Sequence, residues 1–210
     1  MEKVRLVEGV AAGFPQDNID TDAIIPAAYQ RSLKLDAGKG LFAGWRYDLK
    51  GAENPVFVLN RPPYREAKIL VSNRNFGCGS SREFAVWALK RFGIGCVIAE
   101  SFGDIFYENA FKNGLLLVTL PPEQIATLHR YLEDSNSSRL SVDLEACTIS
   151  RDGHGVIRFS IPESRRQALL EGWDEIGQTL RFADDIEAFQ RELRTSQPWI
   201  FPRRADAPAP

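Results

Sequence analysis

Along this chain the apolar residues change their spacing, and each spacing predicts a different element. Residues 3–10 (KVRLVEGV) alternate apolar and polar positions, the two-residue period of a strand. Gly13, Pro15, Asn18 and Asp20 then break the alternation into a loop. From residue 67 the signal sharpens. AKILVSN reads as a buried strand, and residues 82–92 (REFAVWALKRF) as a helix. Ala85, Leu89 and Phe92 recur there at i, i+4 and i+7, and Gly93 is a natural stop. GCVIAES predicts the next strand, IFYENAFKNG a helix closing on Gly114, and LLLVTL a further strand. Strand–helix–strand–helix–strand at this spacing predicts a parallel sheet with right-handed crossovers.

Pro121-Pro122 opens another helix, with Ile125, Leu128 and Leu132 on one face. SVDLEACTIS and VIRFSIP flank the turn residues RDGHG at 151–155, a predicted hairpin. Two amphipathic helices follow, around RRQALLEGW and DDIEAFQREL. Residues 27–60 assign to no element: they hold Gly38, Gly40, Gly44 and Gly51, a WRYD cluster and the short apolar piece VFVL. A long irregular stretch inside a compact domain is usually functional or mobile. Residues 1–197 are expected to form one domain, and residues 198–210 a loosely ordered tail ending in Pro and Ala.

Composition narrows the field mostly by exclusion. The 210 residues suffice for one domain with a real core, and 44% hydrophobic with 26% charged residues is ordinary for a globular protein. A net charge of −2 implies no overall pull toward nucleic acid or an anionic membrane. Cys78, Cys96 and Cys147 are scattered, odd in number and free of CxxC, so neither a disulfide framework nor a cysteine metal site is expected. The N-terminus lacks a charged-then-apolar signal layout, and no apolar run approaches the ~18 residues of a membrane span. A cytoplasmic protein is the expectation.

The segment with most chemical content is Asn75-Phe76-Gly77-Cys78-Gly79-Ser80-Ser81-Arg82-Glu83, between a predicted strand and a predicted helix. Ligands of open α/β sheets collect at the carboxyl ends of strands. Glycines permit close backbone approach, and a helix start offers free N–H groups that favour an anion. Arg82 adds a planar fork suited to a carboxylate. The same residues also spell a capping box, Ser80-x-x-Glu83, in which both side chains serve only the helix start. The two readings separate on Ser80→Ala, which costs a pure cap ~1 kcal/mol and leaves turnover intact. No Gly-Lys-Ser/Thr of a phosphate loop and no Gly-x-Ser-x-Gly elbow occurs in this segment. Only two histidines exist: His129 reads as a surface residue of a helix, and His154 falls in the hairpin turn.

A second segment, NIDTDAIIP, carries Asp20 and Asp22 on one side of an expected extended loop. They suit acid/base work or the orientation of a partner's histidine, although on local sequence alone Asx-turn formation is the better account. Arg31, Lys34, Arg46, Arg61, Arg65 and Arg74 cluster in the first third, most of them expected to be solvated.

NFGCGSSRE, with DTDAIIP upstream and SFGDIFYENAFKNGLLLV downstream, resembles the small subunits of 3-isopropylmalate dehydratases, members of the aconitase superfamily. LFAGWRYD, NPVFVLN, SVDLEACTI and the closing WDEIGQTL and FADDIEAF extend the resemblance, in order, to about residue 199. The resemblance implies an α/β fold, the swivelling β/β/α domain equivalent to the mobile last domain of aconitase, with a central mostly parallel sheet and flanking helices. It implies half of a heteromeric hydro-lyase that isomerises 2-isopropylmalate to 3-isopropylmalate by dehydration and rehydration, in leucine biosynthesis. It implies Ser80 as the general base, with Gly79, Ser81 and Arg82 binding a substrate carboxylate. Asp20 and Asp22 stand behind these or orient the partner. A [4Fe-4S] cluster is expected in the partner large subunit, and none in this chain. Departures from the family pattern are Phe84 and Val86, where His and Pro are usual, and Gln30 in the specificity loop Tyr29-Gln30-Arg31, where an apolar residue is usual. A polar Gln30 keeps other 2-alkylmalates open as substrates, among them 2-methylmalate (with citraconate) and 2,3-dimethylmalate. A non-catalytic binding module of the same fold is a separate alternative, against which the intact Gly79, Ser80, Ser81 and Arg82 argue.

Overall fold

The computed structural model describes residues 1–30, 37–134 and 138–201. Contacts divide the chain into two compact units, Met1–Gly172 and a second beginning at Trp173. The first unit contains strands β1 (Leu6–Phe14), β2 (Ile69–Ser72), β3 (Cys96–Ala99), β4 (Leu116–Thr119), β5 (Arg139–Asp143), β6 (Thr148–Arg151) and β7 (His154–Arg158). They form one sheet in the order β4-β3-β2-β1-β5-β6-β7. Pairs among β1 to β4 are parallel, and the pairs β1–β5, β5–β6 and β6–β7 are antiparallel. The mixed sheet with flanking helices agrees with the α/β expectation.

Strand β1 is the hinge of this arrangement. Its first half, Leu6 to Val10, pairs with β5, and its second half, Ala11 to Phe14, pairs with β2. The expected strand at 3–10 therefore starts later and runs further, because ladder bonds to β2 carry it through Gly13. SVDLEACTIS, expected as one arm of a hairpin, divides into β5 and β6 around a turn. There the Asp143 carboxylate accepts the Ala146 N–H at 2.8 Å, and Cys147 takes φ +52°.

Helices occupy the connections: α1 (Thr21–Ile24), α2 (Ala37–Gly40), α3 (Ala43–Arg46), α4 (Glu83–Phe92), α5 (Asp104–Lys112), α6 (Pro122–Asp134) and α7 (Glu163–Glu171). Alternate strand residues sort to two faces. Leu70, Val97 and Leu117 join Ala85, Leu89 and Phe106 of α4 and α5 in one core; Val71, Ile98 and Val118 join Ile125 and Leu128 of α6 in the other. Parallel strands covered on both faces read as unbroken apolar runs, which is why ILVS, CVIA and LLVT were legible. Helix α4 stops at Gly93, whose φ of +115° lets its N–H reach the Leu89 and Lys90 carbonyls.

Within the unassigned stretch, the described residues 27–30 and 37–60 fold as short turns, the latter around an aromatic stack. Phe42 lies between Phe14 and Trp45, with ring centroids 5.0 and 5.4 Å apart. Arg46 is buried and donates to Asn60 Oδ1 at 3.1 Å, so it is a structural cation. The second unit holds α8 (Glu175–Leu180) and α9 (Ala183–Ser196), followed by a single turn at Pro198–Ile200. Residues 202–210, most of the expected tail, lie outside the described residues.

Candidate active site

The carboxyl ends of β1 and β2 release two loops that meet. After β2 the chain runs through residues 73–82 to α4, and after β1 through residues 15–20 to α1. The first half of the β2 loop is clamped. Phe76 is fully buried and stacks edge-on against Phe106 at 5.5 Å. Its N–H donates to the Ser101 carbonyl at 3.0 Å, and the Gly77 N–H to the Ile19 carbonyl at 2.7 Å. Gly77 has φ +74°, and a Cβ there would stand 2.2 Å from the Phe106 ring, so only glycine fits.

Past Cys78 the character changes. Gly79, Ser80 and Ser81 are exposed. Among the described residues, the N–H groups of Gly79, Ser80, Ser81 and Arg82 have no protein acceptor. The Ser80 hydroxyl makes no hydrogen bond to a described residue either. The N-cap of α4 is Arg82, with no side-chain cap bond. Glu83 meanwhile accepts from Asn113 Nδ2 at 2.8 Å. The capping-box reading of Ser80 and Glu83 therefore falls: the serine is left free beside a row of open N–H donors at a helix start, which favours an anion.

The DTD segment closes on this loop. It is a helical turn where an extended loop was expected, because Asp20 caps α1 by accepting the Ala23 N–H at 2.7 Å. That rotation sends Asp22 to Arg82, with which it forms an ion pair. The Arg82 side chain is only 21% exposed, so this pairing holds the guanidinium in one place. Thr21, fully buried between the aspartates, reaches the loop twice. Its N–H donates to the Cys78 carbonyl at 2.9 Å, and its hydroxyl to the Ser80 carbonyl at 3.1 Å.

Thr21 and Ser101 escaped the reading of the sequence. The signal was present in the apolar–polar order of I-D-T-D-A, where a residue between two exposed acids must face inward.

Other candidates separate from this cluster. Tyr29 is partly buried, and Gln30 donates its side-chain amide to the Ile25 carbonyl at 2.8 Å. Arg31 and Lys34 lie outside the described residues. Arg65 pairs with Glu53 and Arg74 with Asp17, so neither is a spare cation.

His129 corrects an expectation. It is half-buried rather than a surface residue, and Nε2 lies 3.1 Å from Asn73 Oδ1 at the root of the β2 loop. Burial holds its imidazole below the usual value, with Glu133 opposing. Burial and then the Asp20 charge raise the Cys78 thiol, so it stays protonated near neutrality.

Cys78 lies in this loop, Cys96 in β3 and Cys147 in the β5–β6 turn, and all three are free thiols. Among the described residues no group of three or more His, Cys, Asp or Glu side chains is arranged to hold a metal ion. The residues present do not fit an iron–sulfur cluster, which needs a set of converging thiolates. Among the described residues no helix is long and apolar enough to cross a membrane.

Comparison with known proteins falls on the same elements. Residues 1–123 match the Aconitase C-terminal domain family, which takes in both loops of the site. Residues 175–203 match the family of the C-terminal domain of the 3-isopropylmalate dehydratase small subunit. The chain is 48% identical over 200 residues to the 3-isopropylmalate dehydratase small subunit of Mesorhizobium japonicum, covering 95% of this chain and 100% of that one. It is 47% identical over 201 residues to the same protein of Cereibacter sphaeroides, with the same coverage. A crystal structure of 3-isopropylmalate dehydratase from Methanocaldococcus jannaschii superposes with a TM-score of 0.61 at 28% identity. That match covers 89% of this chain and 98% of the other.

Proposed function

The chain belongs to the 3-isopropylmalate dehydratase small-subunit family, and from that premise we propose that it is the base-supplying half of a two-subunit hydro-lyase. Its substrate is 2-isopropylmalate, isomerised to 3-isopropylmalate by dehydration and rehydration in leucine biosynthesis, in the cytoplasm. The observation that carries this reading is the Ser80 hydroxyl, exposed beside Arg82 and a row of N–H donors, with no partner for the hydroxyl or the donors among the described residues.

Ser80 removes a carbon-bound proton next to a carboxylate. A serine hydroxyl is a weak base in water, so Ser80 must act from an alkoxide-like form held by N–H dipoles and a cation; it is neutralised as it takes the proton, and the negative charge passes to the substrate beside its carboxylate. The α4 N-terminus and Arg82 supply that field. Arg82 and the N–H groups of Gly79 and Ser81 bind the carboxylate itself, while Asp22 holds the Arg82 fork at the right angle. Asp20 acts at one remove, by capping the turn that carries Asp22. The [4Fe-4S] cluster and the acid side of the reaction belong to the large subunit, so this chain is inactive alone.

A second reading rests on Gln30. Its polar side chain is tied to Ile25 within the loop expected to meet the substrate's variable group, which favours a smaller 2-alkylmalate such as 2-methylmalate. Reconstitution with a 3-isopropylmalate dehydratase large subunit, assayed on 2-isopropylmalate, 2-methylmalate and 2,3-dimethylmalate, tests both. Turnover of 2-isopropylmalate by the complex, and none by this chain alone, is the expected result. Activity of the isolated chain would overturn the two-subunit scheme, and preference for 2-methylmalate would favour the second reading.

A further inference from the structure

We propose that Thr21 is a positioning residue of the site, which aims the backbone N–H groups of Gly79 and Ser81 at a substrate carboxylate. This rests on the dehydratase reading above and assigns the site a part that neither family resemblance nor local sequence singled out.

The argument is geometric. In a trans peptide the carbonyl and the following N–H point in opposite directions. Among the described residues the one cis bond is Pro62-Pro63, so the site loop is trans throughout. Thr21 grips two carbonyls of that loop, Cys78 through its own N–H at 2.9 Å and Ser80 through its hydroxyl at 3.1 Å. Pulling both carbonyls toward α1 turns the next N–H of each, those of Gly79 and Ser81, away from α1. The two donors thus flank Ser80 and face outward together, and neither meets a protein acceptor among the described residues.

The surroundings show why this grip is needed. Gly79 has φ +93°, and a Cβ there would make only ordinary contacts, 3.6 Å from Asp20 Cβ and Thr21 Oγ1, so crowding does not lock its peptide plane. The fixed half of the loop ends at Cys78. Between Cys78 and Arg82, Thr21 supplies the only side-chain bond to the backbone among the described residues. Thr21 is itself immovable: it is buried, and Ile25 N–H closes the α1 turn on its carbonyl at 3.0 Å. A rigid donor placed on a soft loop is what preorganisation of an anion site requires.

The test uses the chain assembled with its large subunit. Thr21→Val keeps the shape and the backbone bond to Cys78 but removes the bond to Ser80. It is expected to raise the KM for 2-isopropylmalate roughly ten-fold and to lower kcat, with a thermal midpoint close to that of the parent. Thr21→Ser restores the hydroxyl and should return KM to within about three-fold of the parent. In the parent complex labelled with 15N at glycine and serine, 2-isopropylmalate should shift the Gly79 and Ser81 amides more than that of Gly77. Parental KM in Thr21→Val, or unmoved Gly79 and Ser81 amides in an active parent complex, overturns the proposal. A parent complex that turns over no 2-alkylmalate sinks the dehydratase reading instead. Should Thr21→Val not fold, the Thr21→Ser kinetics and the parent amide shifts decide alone.

Discussion

The two halves of the loop after β2 are built on opposite terms. Residues 75–78 are anchored on both sides, with Phe76 and Gly77 buried and their N–H groups bonded to Ser101 and Ile19. Residues 79–81 are exposed, and their N–H groups have no described acceptor. Buried contacts hold the first half, and the proposed chemistry falls to the second. Because the anchor is rigid, the tip can leave polar groups unpaired without collapsing onto them. An open loop tip on a stiff scaffold is the general pattern on which functional sites are built.

The comparison makes predictions that pull the halves apart. Ser80→Ala acts on the tip alone. Turnover by the reconstituted complex should fall about 10²–10⁴-fold, as for loss of a general base. Its thermal midpoint should stay near the parent's, since no cap bond is lost. Retained turnover would remove Ser80 from the chemistry and reduce the tip to a surface turn.

Gly77→Ala acts on the anchor. Its Cβ meets Phe106 at 2.2 Å in a left-handed backbone, which should destabilise the fold by about 2–5 kcal/mol in denaturant titration. Gly79→Ala carries the backbone cost without the clash, so the same measurement should give about 1–2 kcal/mol. Equal losses at the two glycines would mean that anchor and tip are not mechanically distinct.

The smallest effect concerns the root of the anchor, where His129 meets Asn73. Burial holds the imidazole below its usual value, so protonation is harder in the folded state than in the unfolded one. Its contribution to stability is therefore fully present above about pH 6.5 and is lost as pH falls toward the depressed folded value. The thermal midpoint of the parent should decline faster than that of His129→Gln as pH drops through that window. Parallel curves would show that burial does not hold the His129 imidazole below its usual value.

Much of this was legible along the chain. ILVS, CVIA and LLVT are strands because a sheet covered on both faces demands unbroken apolar runs. Gly93 ends α4 because only a left-handed residue satisfies the last carbonyls. The glycine-serine-arginine run between strand and helix marked, ahead of the fold, the loop on which the proposed anion site is built. Less legible was everything set by partners far away in sequence. The course of β1 beyond residue 10 depends on β2, and the break at Cys147 depends on β5 and β6 pairing with each other.

The chain by itself determined which residues carry reactive groups: Ser80 and Arg82 beside two glycines, with Asp20 and Asp22 upstream. Tertiary structure alone decided whether Ser80 is a cap or a free hydroxyl. Glu83 is drawn away by Asn113, 30 positions later, and Arg82 by Asp22, 60 positions earlier. Thr21 turns the peptide planes of the tip from 59 positions away. Local propensity is a property of neighbours in the chain, whereas the direction of an N–H or a guanidinium is set by whichever acceptor the fold delivers.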